Sequence, residues 1–150
     1  MVSFRKHFDI QAGNYDEAGK AASEIKRVLK QLHFSKDLQK RVSVASYEAE
    51  INIVIHSVGG SVDFLIQDNQ IFLQFVDNGP GIEDIALAMT EGYSTASDLS
   101  RLNGFGAGMG LSNIKKSADE MTLVSDPCGT VMKLKFIDRE VVEDDSSQTI

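Results

Sequence analysis

The first residues of the chain alternate between apolar and polar. Ser3–Ile10 carries Phe4, Phe8 and Ile10 with polar residues between them, the two-residue period of a strand at a sheet edge. From Asn14 the period changes. Ala18, Ala21, Ala22, Ile25, Val28, Leu29 and Leu32 recur at helical spacing and predict a helix from Asn14 to about His33. Asn14 is its expected N-cap with Glu17 in the capping-box position, and His33 falls at the end where a cation is favoured. Ser35 is the next N-cap. Leu38, Val42, Val44, Ala45, Ala49, Ile51, Ile53, Val54 and Ile55 mark the buried surface of a second helix, from about Lys36 to Val58, which Gly59-Gly60 ends.

Two strands then follow, Ser61–Asp68 and Gln70–Val76, as an antiparallel hairpin turning at Asp68-Asn69. Glu83–Glu91 is a short helical candidate. Gly92–Asn103, including Tyr93-Ser94-Thr95-Ala96-Ser97, has little periodicity; a loop this long inside a domain is usually a functional lid or disordered. Leu111–Ala118 returns to helical spacing. Met121–Ser125 and Thr130–Ile137 read as strands joined by Asp126-Pro127-Cys128-Gly129. The order β-α-α-β-β-(α)-loop-α-β-β predicts an α+β fold, a two-layer sandwich with helices on one face of a mixed, mostly antiparallel sheet.

A chain of 150 residues without internal repeats suits one domain, 3–137, with a single core. Residues 138–150 contain Glu140, Glu143, Asp144 and Asp145 and read as a solvated, disordered acidic tail, or more sharply as a partner-binding one. The net charge of −7 argues against nucleic acid as the main partner, since phosphate neutralisation needs clustered Lys and Arg. No apolar run approaches the roughly 18 residues that span a bilayer, and the charged N-terminus has no secretory h-region. One cysteine, Cys128, excludes an internal disulfide and suits a reducing compartment, so a cytoplasmic location is expected; the residue itself reads as a plain turn position, or as a reactive thiol if exposed.

Three stretches carry candidate chemistry. Asp77-Asn78-Gly79-Pro80-Gly81-Ile82 follows a strand, placing a carboxylate at the sheet end beside backbone that a ligand can approach closely. Alone it also reads as a turn. Glu48, Asn52 and His56 fall at i, i+4 and i+8 on the second helix and form one polar stripe, while Glu50 is out of phase and points elsewhere. Gly104-Phe105-Gly106-Ala107-Gly108-Met109-Gly110 opens a helix, where free N–H groups and the helix dipole favour an anion or phosphate.

In this order and context, Glu48-x-x-x-Asn52, Asp77-x-Gly79-x-Gly81 and Gly106-x-Gly108-x-Gly110 resemble the GHKL ATPase superfamily, which includes gyrase, Hsp90, histidine kinases and MutL. The resemblance covers about residues 3–137. The small size favours the branch of anti-sigma-factor serine/threonine kinases, especially the short switch kinases that phosphorylate STAS-domain antagonists. The resemblance implies ATP and Mg²⁺ as cofactors, with Asp77 accepting from the adenine amino group, Asn52 coordinating Mg²⁺ and Glu48 as general base. It implies that Gly79, Gly81, Ile82, Gly104, Gly106, Ala107, Gly108, Met109, Gly110 and Leu111 shape the nucleotide pocket, and that Thr130 supports Asp77 through a hydroxyl or water. The residue types suit these roles. A carboxylate only accepts, as an exocyclic amine requires, and an amide oxygen is a hard ligand for Mg²⁺.

Implied partners are ATP or ADP, a STAS-domain antagonist, a sigma factor and, as in many such relatives, a second copy of the chain. Nucleic acid and membrane are not expected. Some anti-sigma kinases carry an arginine just before the final glycine pair, where this chain has Gly106-Ala107; Arg101, Lys115 or Lys116 are the nearby cations. Two other readings stay open. One is a nucleotide-dependent binding switch, in which the 92–103 segment orders around ATP; the other is a freestanding histidine-kinase-like ATPase domain.

Overall fold

The computed structural model describes residues 2–79 and 110–139. Strand β1 (Val2–Ile10) leads through a 3₁₀ turn (Tyr15–Glu17) to helices α1 (Lys20–Gln31) and α2 (Lys36–His56). Strands β2 (Gly60–Gln67) and β3 (Gln70–Asp77) form a hairpin, followed by helix α3 (Gly110–Ser117) and strands β4 (Glu120–Asp126) and β5 (Gly129–Ile137). The five strands lie in the order β1-β2-β3-β5-β4, with β1 at an edge as expected. All four pairings among the described residues are antiparallel, whereas the chain pattern had allowed for a mixed sheet. The candidate helix at Glu83–Glu91 and the Gly92–Asn103 segment lie outside the described residues.

The alternation read from the sequence becomes one apolar sheet face. Cross-strand partners Phe64–Leu73 and Leu73–Leu134 are almost fully buried, and Ile71 lies opposite Phe136 in the same layer. Onto this face pack Ile25 and Leu29 of α1, Leu38, Val42 and Ala45 of α2, and Ile114 of α3. At roughly 25 cal/mol per Å² of buried apolar surface, this layer supplies the main driving force for folding. Val44, expected in the core, is 36% exposed because it lies on the outward side of α2.

The two helix starts differ. Ser35 caps α2 as expected, its Oγ accepting the Leu38 N–H at 3.1 Å. Asn14 does not cap a helix: its side chain makes no cap bond, and the chain forms only a 3₁₀ turn before Gly19, at φ +95, starts α1. The acceptor for α1 comes from the neighbouring helix. Glu50, 3% exposed, accepts the N–H groups of Gly19 and Ala22 at 2.9 Å and that of Ala21 at 3.4 Å. These donors have no partner within α1, so a carboxylate from α2 both satisfies them and meets the positive end of the helix dipole.

The expected tail boundary also moves. Asp138 is 1% exposed, and its Oδ2 accepts the Ser35 N–H at 2.8 Å. Arg139 donates to Asp119 at 3.0 Å. Asp138 and Arg139 are thus built into the domain rather than the tail; residues 140–150 lie outside the described residues.

Candidate functional site

Asp77 ends the central strand β3, and its neighbours hold it in place. Oδ1 accepts two backbone N–H groups, from Gly79 and from Thr130 at the start of β5, each at 3.0 Å. Among the described residues Oδ2 accepts no hydrogen bond, which leaves one carboxylate oxygen for a donor from outside. Thr130 therefore supports Asp77 through its backbone amide. Its hydroxyl lies 2.8 Å from that of Ser125, where β4 and β5 pair, and the expected support by a hydroxyl or a water is not seen directly on Asp77 among the described residues.

Two glycines not assigned to the site from sequence make this packing possible. Gly60 lies across from Asp77 on β2, and a Cβ there would stand 2.1 Å from the Val76 carbonyl oxygen. Gly129, at φ +147, would place a Cβ 2.2 Å from the Asp77 carbonyl oxygen and 3.2 Å from its Oδ1. The local signals of a helix end and a turn explained both glycines without reference to Asp77. Gly79, at φ +107, lies against the Cys128 backbone, where a Cβ would be 3.1 Å from the carbonyl oxygen. The connection from α2 to β2 is tied to the same loop, with Val58 N–H donating to Gly79 O and Asn78 N–H to Gly59 O.

A second cluster joins α2 to the start of α3. A methyl on Gly110 would lie 3.2 Å from Glu48 Oε2 and 3.3 Å from Asn52 Oδ1. The stripe read on α2 thus faces the first residue of α3, where a Cβ would require the two side-chain ends to give by a few tenths of an ångström. Both side chains are half-buried, and burial lifts the Glu48 carboxyl above its usual range. His56, one turn further on, is pushed down by burial. Glu50 points the other way, into the α1 cap. Leu111 is 7% exposed and packs in the core, leaving its backbone rather than its side chain for a ligand.

The expected site residues Gly81, Ile82, Gly104, Gly106, Ala107, Gly108 and Met109 lie outside the described residues, as does Arg101. Lys115 and Lys116 are exposed in the last turn of α3. Among the described residues no three His, Cys, Asp or Glu side chains group to hold a metal by themselves. An amide oxygen and a nearby carboxylate at a helix start fit Mg²⁺ only when phosphate oxygens and waters complete its shell. No helix among the described residues is long and apolar enough to cross a membrane.

Helices on one face of an antiparallel sheet, an acceptor at the end of the central strand and a polar α2–α3 junction define a two-layer ATPase domain of the GHKL type. Residues 37–140 match the family described as histidine kinase-, DNA gyrase B- and HSP90-like ATPase, and the chain belongs to that family. An anti-sigma F factor of Caldanaerobacter subterraneus subsp. tengcongensis is 32% identical over 105 residues, 65% of this chain and 70% of that protein. The serine/threonine-protein kinase RsbT of Bacillus subtilis is 32% identical over 110 residues, 70% of this chain and 77% of RsbT. Among solved structures, the RsbU and RsbW domains of Rv1364c from Mycobacterium tuberculosis superpose with a TM-score of 0.61 at 14% identity. That match covers 90% of this chain but 32% of the other, so this chain spans about a third of that protein. The SiaB–SiaC complex from Pseudomonas aeruginosa gives a TM-score of 0.50 at 12% identity, covering 91% of this chain and 90% of that one. At these identities the structural likeness concerns the fold.

Proposed function

We propose that the chain is an ATP-dependent serine/threonine protein kinase of the anti-sigma type, acting on a STAS-domain antagonist in the cytoplasm to control release of a sigma factor or signalling complex. The observation that carries this reading is the Glu48–Asn52 pair at Gly110. A pure nucleotide-binding module has less need of a carboxylate beside the phosphate end of its site. A carboxylate raised by burial is a stronger base, and general bases work best with a pKa nearer the operating pH. The similarity to RsbT and to anti-sigma F factors supports the same class.

In this reading Asp77 Oδ2 accepts from the adenine amine while Gly79 and Thr130 hold Oδ1. Asn52 Oδ1 is the protein ligand for Mg²⁺, which when bound neutralises phosphate charge. Glu48 takes the proton as the partner's hydroxyl oxygen bonds to the γ-phosphorus and the bond to the β-phosphate oxygen breaks, releasing ADP. The new phosphate adds charge and acceptor oxygens to the partner, enough to open a packed interface. A second copy of the chain is a further proposed partner.

Calorimetric titration of Mg·ADP and Mg·ATP into wild type and Asp77→Asn tests the pocket. Loss of the acceptor should weaken binding by on the order of 1–3 kcal/mol. Glu48→Ala in a phosphotransfer assay with a STAS-domain protein then tests the chemistry. The expected result is a rate loss of about 10²–10⁴-fold with ADP affinity retained. Nucleotide binding without transfer to any hydroxyl would favour the binding-switch reading, for which the absence of arginine at position 107 speaks. Acid-labile product would mark a histidine-kinase-like domain. Absence of nucleotide binding by folded wild type would overturn the assignment.

A further inference from the structure

Charge is distributed very unevenly in this acidic chain. Lys20–Tyr47 holds seven Lys and Arg against two Asp and Glu, while the whole chain carries −7. An open groove of about 310 Å³ runs between α1 and α2, lined by Gly19, Lys20, Ser23, Lys26, Ser43 and Tyr47. Helical spacing continues the basic strip from Lys26 to Lys30 on α1 and through Lys36 and Lys40 on α2. Within Lys20–Tyr47 both acids are already engaged, Glu24 with Arg27 and Lys6, and Asp37 with Arg41, while further along α2 Glu50 is held by the Gly19 and Ala22 amides and Glu48 faces Gly110. Glu17, just before α1, pairs with Lys20. Lys26, Lys30, Lys36 and Lys40 make no ion pair with any described residue. Of the five large apolar side chains exposed among the described residues, Leu32, Val44 and Tyr47 belong to the same hairpin. This surface suits a segment carrying both carboxylates and aliphatic side chains.

The chain holds one. Glu140-Val141-Val142-Glu143-Asp144-Asp145 has four acids beside two valines, and no base follows within residues 140–150. Its point of departure is set by Asp138, whose carboxylate accepts the Ser35 N–H and whose carbonyl accepts from Asn69. Asp138, just before this segment, therefore lies at the start of α2. At about 1.5 Å of rise per residue, Tyr47 lies about 18 Å along α2 from Ser35. Eleven extended residues reach up to about 36 Å, enough to follow the groove along its length.

We infer that residues 140–150 dock in the lysine-lined α1–α2 groove of their own chain, with their carboxylates on the lysines and Val141-Val142 against the exposed apolar side chains. Surface ion pairs are individually weak. A tethered segment nevertheless acts at an effective concentration on the order of mM, so modest contacts keep it in place. The inference does not depend on the nucleotide reading.

The test compares amide NMR spectra of the full-length wild type with a full-length variant neutralised at the tail: Glu140→Gln, Glu143→Gln, Asp144→Asn and Asp145→Asn. Neutralisation is expected to move resonances of residues 23–30 and 40–47 while those of 62–75 stay, which also reports that the fold is intact. Salt near 1 M, where the Debye length falls to about 3 Å, should move wild type in the same direction. Lys26→Glu with Lys40→Glu in the wild-type background should give that shift too. A synthetic peptide of residues 140–150, added at millimolar concentration to the neutralised variant, should reverse it. Changes confined to Ser35, Asn69 and Arg139 would overturn the docking. Hairpin shifts that grow with protein concentration would assign the groove to the tail of a second copy and overturn docking within one chain.

Discussion

Glu50 carries the most direct energetic prediction. Replacing it by Ala removes the acceptor for three N–H groups at the start of α1, in a place water does not reach. The bonds to Gly19 and Ala22 are short and charge-assisted, a class worth about 1.5–3 kcal/mol each, while the 3.4 Å bond to Ala21 adds little. Glu50→Ala should therefore destabilise the fold by about 3–6 kcal/mol. Glu50→Gln keeps one acceptor oxygen but turns an NH₂ toward the other donors, and should cost roughly half as much. With an m-value of about 2 kcal/mol/M in urea, the Ala variant should unfold roughly 1.5–3 M earlier. Hydrogen exchange should also lose protection in the first turn of α1 before the β2–β3 hairpin is affected. A cost below about 1 kcal/mol, or unchanged exchange at Ala22, would refute the view that α2 caps α1.

Two further expectations concern the site. Gly129→Ala drives a Cβ against the Asp77 carbonyl and should cost about 1–3 kcal/mol from overpacking plus backbone strain, with a loss of nucleotide affinity. Gly13→Ala, at φ +72 with open space around it, should show only a left-handed backbone cost of about 1–2 kcal/mol in thermal unfolding and unchanged affinity. Burial raises the Glu48 carboxyl, so folding disfavours its charged form; the penalty is complete above the folded pKa and absent below the ordinary value near 4.5. Glu48→Gln should accordingly be more stable than wild type at pH 7 and match it below about pH 4, as urea unfolding across that range would show.

Some features are readable one residue at a time. Ser35 caps α2 because the cap bond joins a residue to the amide three positions on, a distance the sequence itself sets. The two-residue period of β2, β3 and β5 predicted the buried face, since alternate side chains of a strand point to opposite sides. Glu48 and Asn52 share a stripe through helical spacing alone, and Gly110 confirms where that stripe points. Asn14 shows the limit of such reading. Its capping-box spacing was sound, yet the acceptor for α1 comes from Glu50, 31 positions after Gly19, and no local rule reports that meeting. Val44 shows it too, because α2 is apolar on more sides than the sheet can cover.

Most of the described elements, their order and the Glu48–Asn52 and Asp77 motifs could be read along the chain. Periodicity, caps and short motifs are consequences of backbone geometry over a few residues. How those residues are held depends on contacts between strands and helices far apart in the chain. Gly60 on β2 and Gly129 on β5 yield space to β3, the Thr130 amide rather than its hydroxyl meets Asp77, and Asp138 closes onto the Ser35 amide. Each of these joins groups distant in the chain. Their partners are chosen by how the sheet and helices pack, and the reason is physical: a buried polar group must find a partner wherever the fold brings one near.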